Sequence, residues 1–375
     1  MHADAASWLT LAAVLLLAAC SGGSDNTTGS ALAAEERVLN VYNWSDYIGP
    51  TTIADFEKKT GIKVNYDTYD SNELLETKLL TGHTGYDIVV PAATIMERLI
   101  KAGVFQKLDK SRLPNLKNMD PDIMQRVAVN DPGNEHSIVY MWLTVGIGYN
   151  PRLVEKALGT NQIDSWATVL DSTVATKLAK CGIALIDSPT DVFGSVAIYK
   201  GLDPNSEKPE DLAVVEETLM KIRPYVRYFH SSSYISDLAA GEICVALGWS
   251  GDVLQARDRG AAAATPVEVA YAMPREGAYI WFDTVAIPAD APHPGNAHVF
   301  LNFLMDPEVI AGISNEVGYA NGNAASLPFV KDKIRNDPAV YPPDELRKKL
   351  YPTIAFSQEY SRELNRAWVR VKTGQ

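Results

Sequence analysis

The side chains in this sequence best suited to chemistry are aromatic rings set beside carboxylates. Gly248-Trp249-Ser250-Gly251-Asp252 follows the apolar run Cys244-Val245-Ala246-Leu247 and precedes Val253–Arg257, which reads as the start of a helix. Trp249 and Asp252 are therefore expected at the carboxyl end of a strand, the edge at which open α/β sheets bind ligands. Trp44-Ser45-Asp46-Tyr47, Pro189-Thr190-Asp191 and Trp281-Phe282-Asp283 share this character, and Tyr319 in Gly318-Tyr319-Ala320-Asn321 is a further candidate. An indole face attracts an ammonium through its quadrupole, and a carboxylate pairs with the charge. Several such walls suit an elongated organic polycation with an apolar spine. Any one group alone is more often structural, since Trp is common in cores and Asp caps helices. Recurrence at successive strand ends carries the functional reading.

Motifs for catalysis are missing. Gly248-Trp249-Ser250-Gly251 lacks the spacing of a nucleophile elbow, and there is no phosphate-binding loop, zinc-protease helix or dinucleotide fingerprint. The six His are scattered. His293 and His298, around Pro294 and Gly295, read as a surface loop and not as a metal pair. No catalytic residue, metal or cofactor is expected. Paired carboxylates with aromatic platforms also occur in glycosidases, so a secreted glycosidase stays as an alternative. A receptor for a sugar or another small cation is a second one.

These groups need a frame to bring them together. Val38–Tyr42, Ile62–Tyr66 and Tyr86–Val90 read as strands alternating with helices, and Gly182–Asp187, Val226–His230 and the run before Trp249 continue the pattern. Alternation of this kind means a parallel sheet. Ile138–Leu143 and Val145–Tyr149 read as two extended segments around Thr144, and Tyr279–Ile287 as a long strand. Two βα series joined by long crossings imply an α/β protein of two lobes, with parallel or mixed sheets, flanking helices and hinge strands near Thr144 and Tyr279. Residues 38–143 with 280–318 are expected to form lobe 1, and 144–279 with 319–375 lobe 2. A ligand in the cleft would hold the lobes shut. The 375 residues suffice for two domains, and 46% hydrophobic with 21% charged content describes a chain that buries a sizeable core. A formal net charge of -12 argues against nucleic acid and suits a cationic ligand.

The N-terminus stands apart from the fold. Leu9–Ala19 is almost wholly apolar and too short to span a bilayer, so residues 1–19 read as a secretory signal, although no Lys or Arg precedes the run. Leu17-Ala18-Ala19-Cys20 resembles a bacterial lipobox, in which the Cys is lipidated. A cut after Ala31-Leu32-Ala33 also fits the small-residue rule, but lies far from the apolar run. Residues 20–37 then form a flexible tether. Of the three Cys, Cys181 and Cys244 remain. In an oxidising compartment a disulfide is the natural reading, with two buried thiols as the other possibility.

The motifs Tyr42-Asn43-Trp44-Ser45-Asp46-Tyr47-Ile48, Tyr86-Asp87-Ile88-Val89-Val90-Pro91, Gly146-Ile147-Gly148-Tyr149-Asn150, Arg227-Tyr228-Phe229-His230-Ser231-Ser232, Gly248–Asp252 and Tyr319-Ala320-Asn321 together resemble the periplasmic polyamine-binding proteins that deliver putrescine and spermidine to ABC transporters. The resemblance runs from about Val38 almost to the C-terminus. It implies a non-enzymatic, monomeric receptor of bilobal α/β fold, of the type II periplasmic-binding-protein class. Such a receptor would be periplasmic, held to a bacterial membrane only through the lipid anchor, with an ABC permease as its partner. It further implies an aromatic box of Trp44, Tyr47, Trp249, Trp281 and Tyr319, with carboxylates Asp191, Asp252 and Asp283 and with Ser45 and Asp46 nearby. Cys181 and Cys244 match positions that form a disulfide in that family. The family often has Ser after the Pro that ends the third strand. Here Ala92 follows Pro91, which removes that hydroxyl or moves its role to Thr94. Trp at the position of Trp281 goes with spermidine more than with putrescine.

Overall fold

Apolar runs buried on both faces form the centre of the fold. The computed structural model describes residues 35–375 apart from Asp46, Asp70 and Ser71. The signal segment, Cys20, the tether up to residue 34 and Asp46 lie outside the described residues. Among them, eleven strands are β1 (Val38–Trp44), β2 (Lys63–Tyr69), β3 (Ile88–Val89), β4 (Ser137–Tyr149), β5 (Ile183–Leu185), β6 (Val226–Phe229), β7 (Val245–Trp249), β8 (Ala270–Ala272), β9 (Ala278–Ala286), β10 (Ala320–Asn321) and β11 (Leu350–Pro352).

They run in the order β2-β1-β3-β9-β4-β7-β5-β6, with β8 and β10 on β4 and β11 on β9. β1 is parallel to β2 and β3, and β5 is parallel to β6 and β7. Between these two parallel sets run β9 and β4, antiparallel to each other, with β9 also antiparallel to β3 and β4 to β7. The result is the expected bilobal α/β architecture, its two sheets joined through β9 and β4.

β4 is 13 residues long and buried almost throughout, so its sequence reads as a continuous apolar run and not as an alternation. Where the sequence suggests two segments, the structure has one strand that changes partner. Up to Thr144 it pairs with β9, and from Val145 it pairs with β7. Ile138, Val139 and Trp142 pack in a first core with Leu39, Phe300 and Leu304, while Val145 and Ile147 pack in a second with Leu185, Val192 and Leu247. Each such side chain contributes roughly 1.5–3 kcal/mol by its burial. Trp166, fully buried in the second core, keeps its indole N–H paired by donating to the Gly277 carbonyl at 2.9 Å. Val330, Val340 and Leu350 belong to the first core. The helix Gln358–Thr373 gives Leu364, Trp368 and Val371 to the second.

Two places differ from the sequence reading. Glu35 and Arg37, assigned above to the tether, are held to the body. The Glu35 carboxylate accepts from the backbone N–H groups of Gly295 and Asn296 at 2.7 and 2.8 Å, satisfying donors left over at the start of the helix Pro294–Leu304, and Arg37 donates to the Gly61 carbonyl at 3.2 Å. His298 is not a surface-loop residue, and His293, in the loop just before the helix, is partly buried. His298 is 3% exposed within that helix and its Nε2 accepts from the Asp109 N–H at 2.9 Å, and His293 pairs with the buried Asp87 at 3.0 Å. A Pro-Gly pair at a helix start, where Pro needs no donor, resembles a loop in sequence. No helix among the described residues is long and apolar enough to cross a membrane.

Cys181 and Cys244 form a disulfide, their Cα atoms 5.4 Å apart across a sequence separation of 63. It ties together the entries to β5 and β7. Closing so long a loop restricts the unfolded chain, so reduction should lower unfolding free energy by about 2–4 kcal/mol. Urea titrations with and without reductant measure this, and thiol labelling of the unfolded, unreduced chain should find neither Cys181 nor Cys244 reactive. Labelling of both would show the bridge to be absent.

Candidate ligand site

Parallel strands aim their carboxyl ends one way, and here the ends of both sets meet one cavity of about 680 Å³. That volume lies in the usual range for small-molecule sites, roughly 300–1,000 Å³. The lining residues show the convergence: Ser45 and Tyr47 follow β1, Ala92 follows β3, Asp187, Ser188 and Asp191 follow β5, Ser231 follows β6, and Trp249 and Asp252 sit at the end of β7.

 The remaining wall comes from Trp44 itself, from Asn72 and Leu143, from Trp281 and Asp283 of β9, and from Tyr319. Nine of the ten residues singled out in the sequence line this one cavity. The tenth, Asp46, lies outside the described residues.

The two indoles are placed by strand register. At the partner change in β4, Leu143 stands opposite Trp281 on one side and Val145 opposite Trp249 on the other. Both indoles then donate to a single carboxylate. Trp281 Nε1 lies 2.7 Å from Asp191 Oδ1, and Trp249 Nε1 lies 3.0 Å from Asp191 Oδ2. Asp191 sits in the first turn of the helix Pro189–Tyr199 and is 1% exposed. With one indole on each oxygen, it fixes the angle of two walls.

Asp252 and Asp283 are held differently. Each is partly buried at the cavity and accepts one tyrosine hydroxyl: Tyr234 to Asp252 Oδ2 at 2.8 Å, and Tyr47 to Asp283 Oδ2 at 2.8 Å. Tyr47 in turn packs edge-on against Tyr319 at 5.6 Å and Tyr140 at 5.4 Å. Trp44 donates to the Val90 carbonyl at 2.9 Å and packs on Tyr69 at 4.6 Å.

The spacing of the Gly248–Asp252 pentad has a steric cause. A Cβ on Gly248 would stand 2.6 Å from the Tyr234 ring, and one on Gly251 would stand 2.1 Å from the Tyr319 ring. The two glycines admit the two phenols, one of which holds Asp252. Ser250 Oγ accepts from the Thr144 N–H at 3.3 Å, tying the pentad to the partner change in β4.

Burial pushes the Asp283 carboxyl up to about 7, an effect that the Tyr47 hydroxyl partly opposes. Burial likewise lifts Asp191 to about 6 against the bonds from Ser188, Trp281 and Trp249, and it raises Asp252 against those from Tyr234 and the charge of Arg259. Among the described residues no Lys, Arg or His lines the cavity. The cavity wall is thus acidic and aromatic.

The sequence reading does not pick out Asn72, Leu143, Asp187, Ser188 or Ser231, nor Tyr234 behind Asp252. Ser231 falls inside a quoted motif, and Asp187 and Ser188 stand at a predicted strand end, so position alone could have flagged them. Ala92 lines the cavity, and Thr94, the suggested source of a replacement hydroxyl, does not.

Because Asp283 keeps a proton that it would release on unfolding, it makes unfolding free energy fall as pH rises from about 4 to about 7 in the empty protein. Asp283→Asn removes this component, so its loss of stability over that window should be shallower than in the wild type. Urea titrations at intervals from pH 4 to 8 measure the difference, and identical slopes would show that Asp283 ionises like an ordinary surface carboxylate.

Comparison with known proteins gives concordant matches. The family model described as bacterial extracellular solute-binding protein matches residues 51–342. The putrescine-binding periplasmic protein SpuD of Pseudomonas aeruginosa is 52% identical, over 96% of this chain and 98% of its own. The putrescine-binding periplasmic protein PotF of Escherichia coli is 50% identical, over 92% and 93%. Among solved structures, the spermidine/putrescine substrate-binding protein PotD of Streptococcus pneumoniae superposes with a TM-score of 0.82 at 27% identity, covering 90% of this chain and 99% of that one.

Proposed function

Since the chain belongs to the bacterial extracellular solute-binding proteins, we propose that it is a periplasmic polyamine receptor that favours spermidine over putrescine and delivers its ligand to an ABC permease. It is a binding protein and not an enzyme, which removes the glycosidase alternative. In this reading Trp44, Tyr47, Trp249, Trp281 and Tyr319 wall the methylene chain, Asp252 and Asp283 pair with ammonium groups, Ser45 and Asp46 add polar contacts, and Asp191 orients the indoles. The ligand draws the two lobes together and favours the closed state that the permease recognises. The exported chain, lipidated at Cys20, works as a monomer held at the membrane face.

The observation that carries the reading is the charge of the cavity. Asp191, Asp252 and Asp283 meet there with no basic side chain among the described residues lining it. A sugar would leave these carboxyl groups without a cationic partner, whereas a di- or triammonium ligand pairs with them and favours their ionised form. Mass spectrometry of small molecules released on denaturation, followed by calorimetry with the purified polyamine, tests the assignment. Removing the partner of a buried ammonium costs ~3–5 kcal/mol, so Asp252→Asn or Asp283→Asn should weaken binding by about two to four orders of magnitude while the protein stays folded. Near-normal affinity in both variants would remove these residues from the site.

The preference for spermidine rests on Trp281. Spermidine has a third ammonium in mid-chain, where putrescine has only methylenes, and indole is the strongest cation–π partner, worth about 0.5–2 kcal/mol per contact. The names of the SpuD and PotF relatives favour the second reading, putrescine. Calorimetry of both amines against wild type and Trp281→Phe separates the two. The wild type should prefer spermidine and the variant should lose part of that preference. A wild type that prefers putrescine, or a variant with an unchanged ratio, would leave Trp281 as a wall only.

A further inference from the structure

One carboxylate at the cavity already carries an alkylammonium, and it belongs to the protein. Asp187 lines the cavity just after β5. Lys372 of the C-terminal helix places Nζ 2.9 Å from Asp187 Oδ1 and 3.1 Å from Oδ2. Trp368 Nε1 donates to Asp187 Oδ1 at 2.7 Å, and Lys372 Nζ lies 5.5 Å from the centre of the Trp368 ring. A primary ammonium on a methylene stem, seated between a carboxylate and an indole, repeats the chemistry read above for the ligand.

The arrangement is braced from behind. Trp368 packs edge-on against Phe229 at 5.0 Å and Phe193 at 6.1 Å, and the Asp187 N–H donates to Ser231 Oγ, another cavity residue, at 3.1 Å. Burial acts against the charge on Asp187, but the bonds from Lys372 and Trp368 outweigh it, and its carboxyl is held below the usual range. Asp187 thus already has a cationic partner, whereas no ion pair holds Asp191, Asp252 or Asp283 among the described residues.

Resting on the polyamine reading, we propose that Lys372 is a selectivity residue: its ammonium occupies an anionic subsite at Asp187 and so excludes a further ammonium of a longer polyamine. The side chains of the pair keep 34% and 41% of their exposure. Such partly exposed pairs contribute little to stability, so the pair can be altered without unfolding the protein. Removing the Lys372 charge leaves Asp187 ionised at the cavity mouth and available to an ammonium from the ligand.

Calorimetry with putrescine, spermidine and spermine tests this on wild type, Lys372→Gln and the Asp187→Asn/Lys372→Gln double variant. Lys372→Gln should raise the affinity of spermidine or spermine relative to putrescine by about two- to fivefold, the size of one exposed charge pair. The double variant, neutral at both positions, should return the ratio to that of the wild type. A ratio unchanged in Lys372→Gln, or a gain that survives in the double variant, would overturn the proposal. If the wild type binds none of the three amines, the polyamine reading itself fails, an outcome distinct from an unchanged ratio.

Discussion

Carboxylates held against aromatic rings and away from water are the constraint on which this protein turns. Asp191, Asp252 and Asp283 are withdrawn from solvent far enough to raise all three carboxyls above their ordinary values. Desolvation of this kind is opposed inside the protein mainly by neutral donors, two indoles, two phenols and Ser188, with the charge of Arg259 acting on Asp252. Neutral donors hold a carboxylate in place but do not cancel its charge. A cation from outside does, and the free energy it recovers is largest where the fold has left the charge least compensated. The donors also divide the work. Asp191 has both oxygens bonded to the indoles, whereas Asp252 and Asp283 each have one tyrosine bonded to Oδ2 and stand at the cavity beside rings already fixed. Rings fixed before binding lose less conformational freedom when a ligand arrives.

That arrangement depends on where the chain has no side chain. Gly248 and Gly251 lie within van der Waals range of Tyr234 and Tyr319, and a methyl at either position would displace a ring. Tyr319 packs with the first core, whereas Gly251 follows a strand of the second. Tyr47 of the first core likewise reaches Asp283 on β9. The pocket is therefore built from contacts between elements far apart in sequence, each made possible by a local absence of bulk or by a local hydroxyl.

This explains what was legible in the sequence and what was not. Strand ends were legible, because a buried parallel strand is an apolar run with a sharp polar stop, and the aromatic and acidic residues at those stops are uncommon types. The pentad could be read as a strand end, but the cause of its glycines could not, since the phenols that fill the space lie 14 residues before Gly248 and 68 after Gly251 in sequence. Asp191 could be picked out as a carboxylate but not as the partner of two indoles, because that requires the register of three strands. The split of Ile138–Leu143 from Val145–Tyr149 followed from Thr144, a polar residue in an apolar run, whose hydroxyl is paired with that of Tyr271 at 2.8 Å. The helix Gln358–Thr373 went unassigned although Leu364, Ala367, Trp368 and Val371 repeat at helical spacing; its charged face lowers the mean hydropathy and hides the stripe.

The same contacts tie the site to the joint between the sheets. At Leu143 and Thr144, β4 exchanges β9 for β7, which makes this stretch the joint between the two sheets. Leu143 lines the cavity, and the Thr144 N–H is bonded to Ser250, between Trp249 and Asp252. The joint is thus linked directly to one indole wall and one carboxylate, while Trp281 lies on β9. Asp191 holds both indoles and resists their separation. A ligand paired with Asp252 and Asp283 and packed between the two indoles would therefore touch residues bonded directly to the joint between the sheets, with no relay through the cores required.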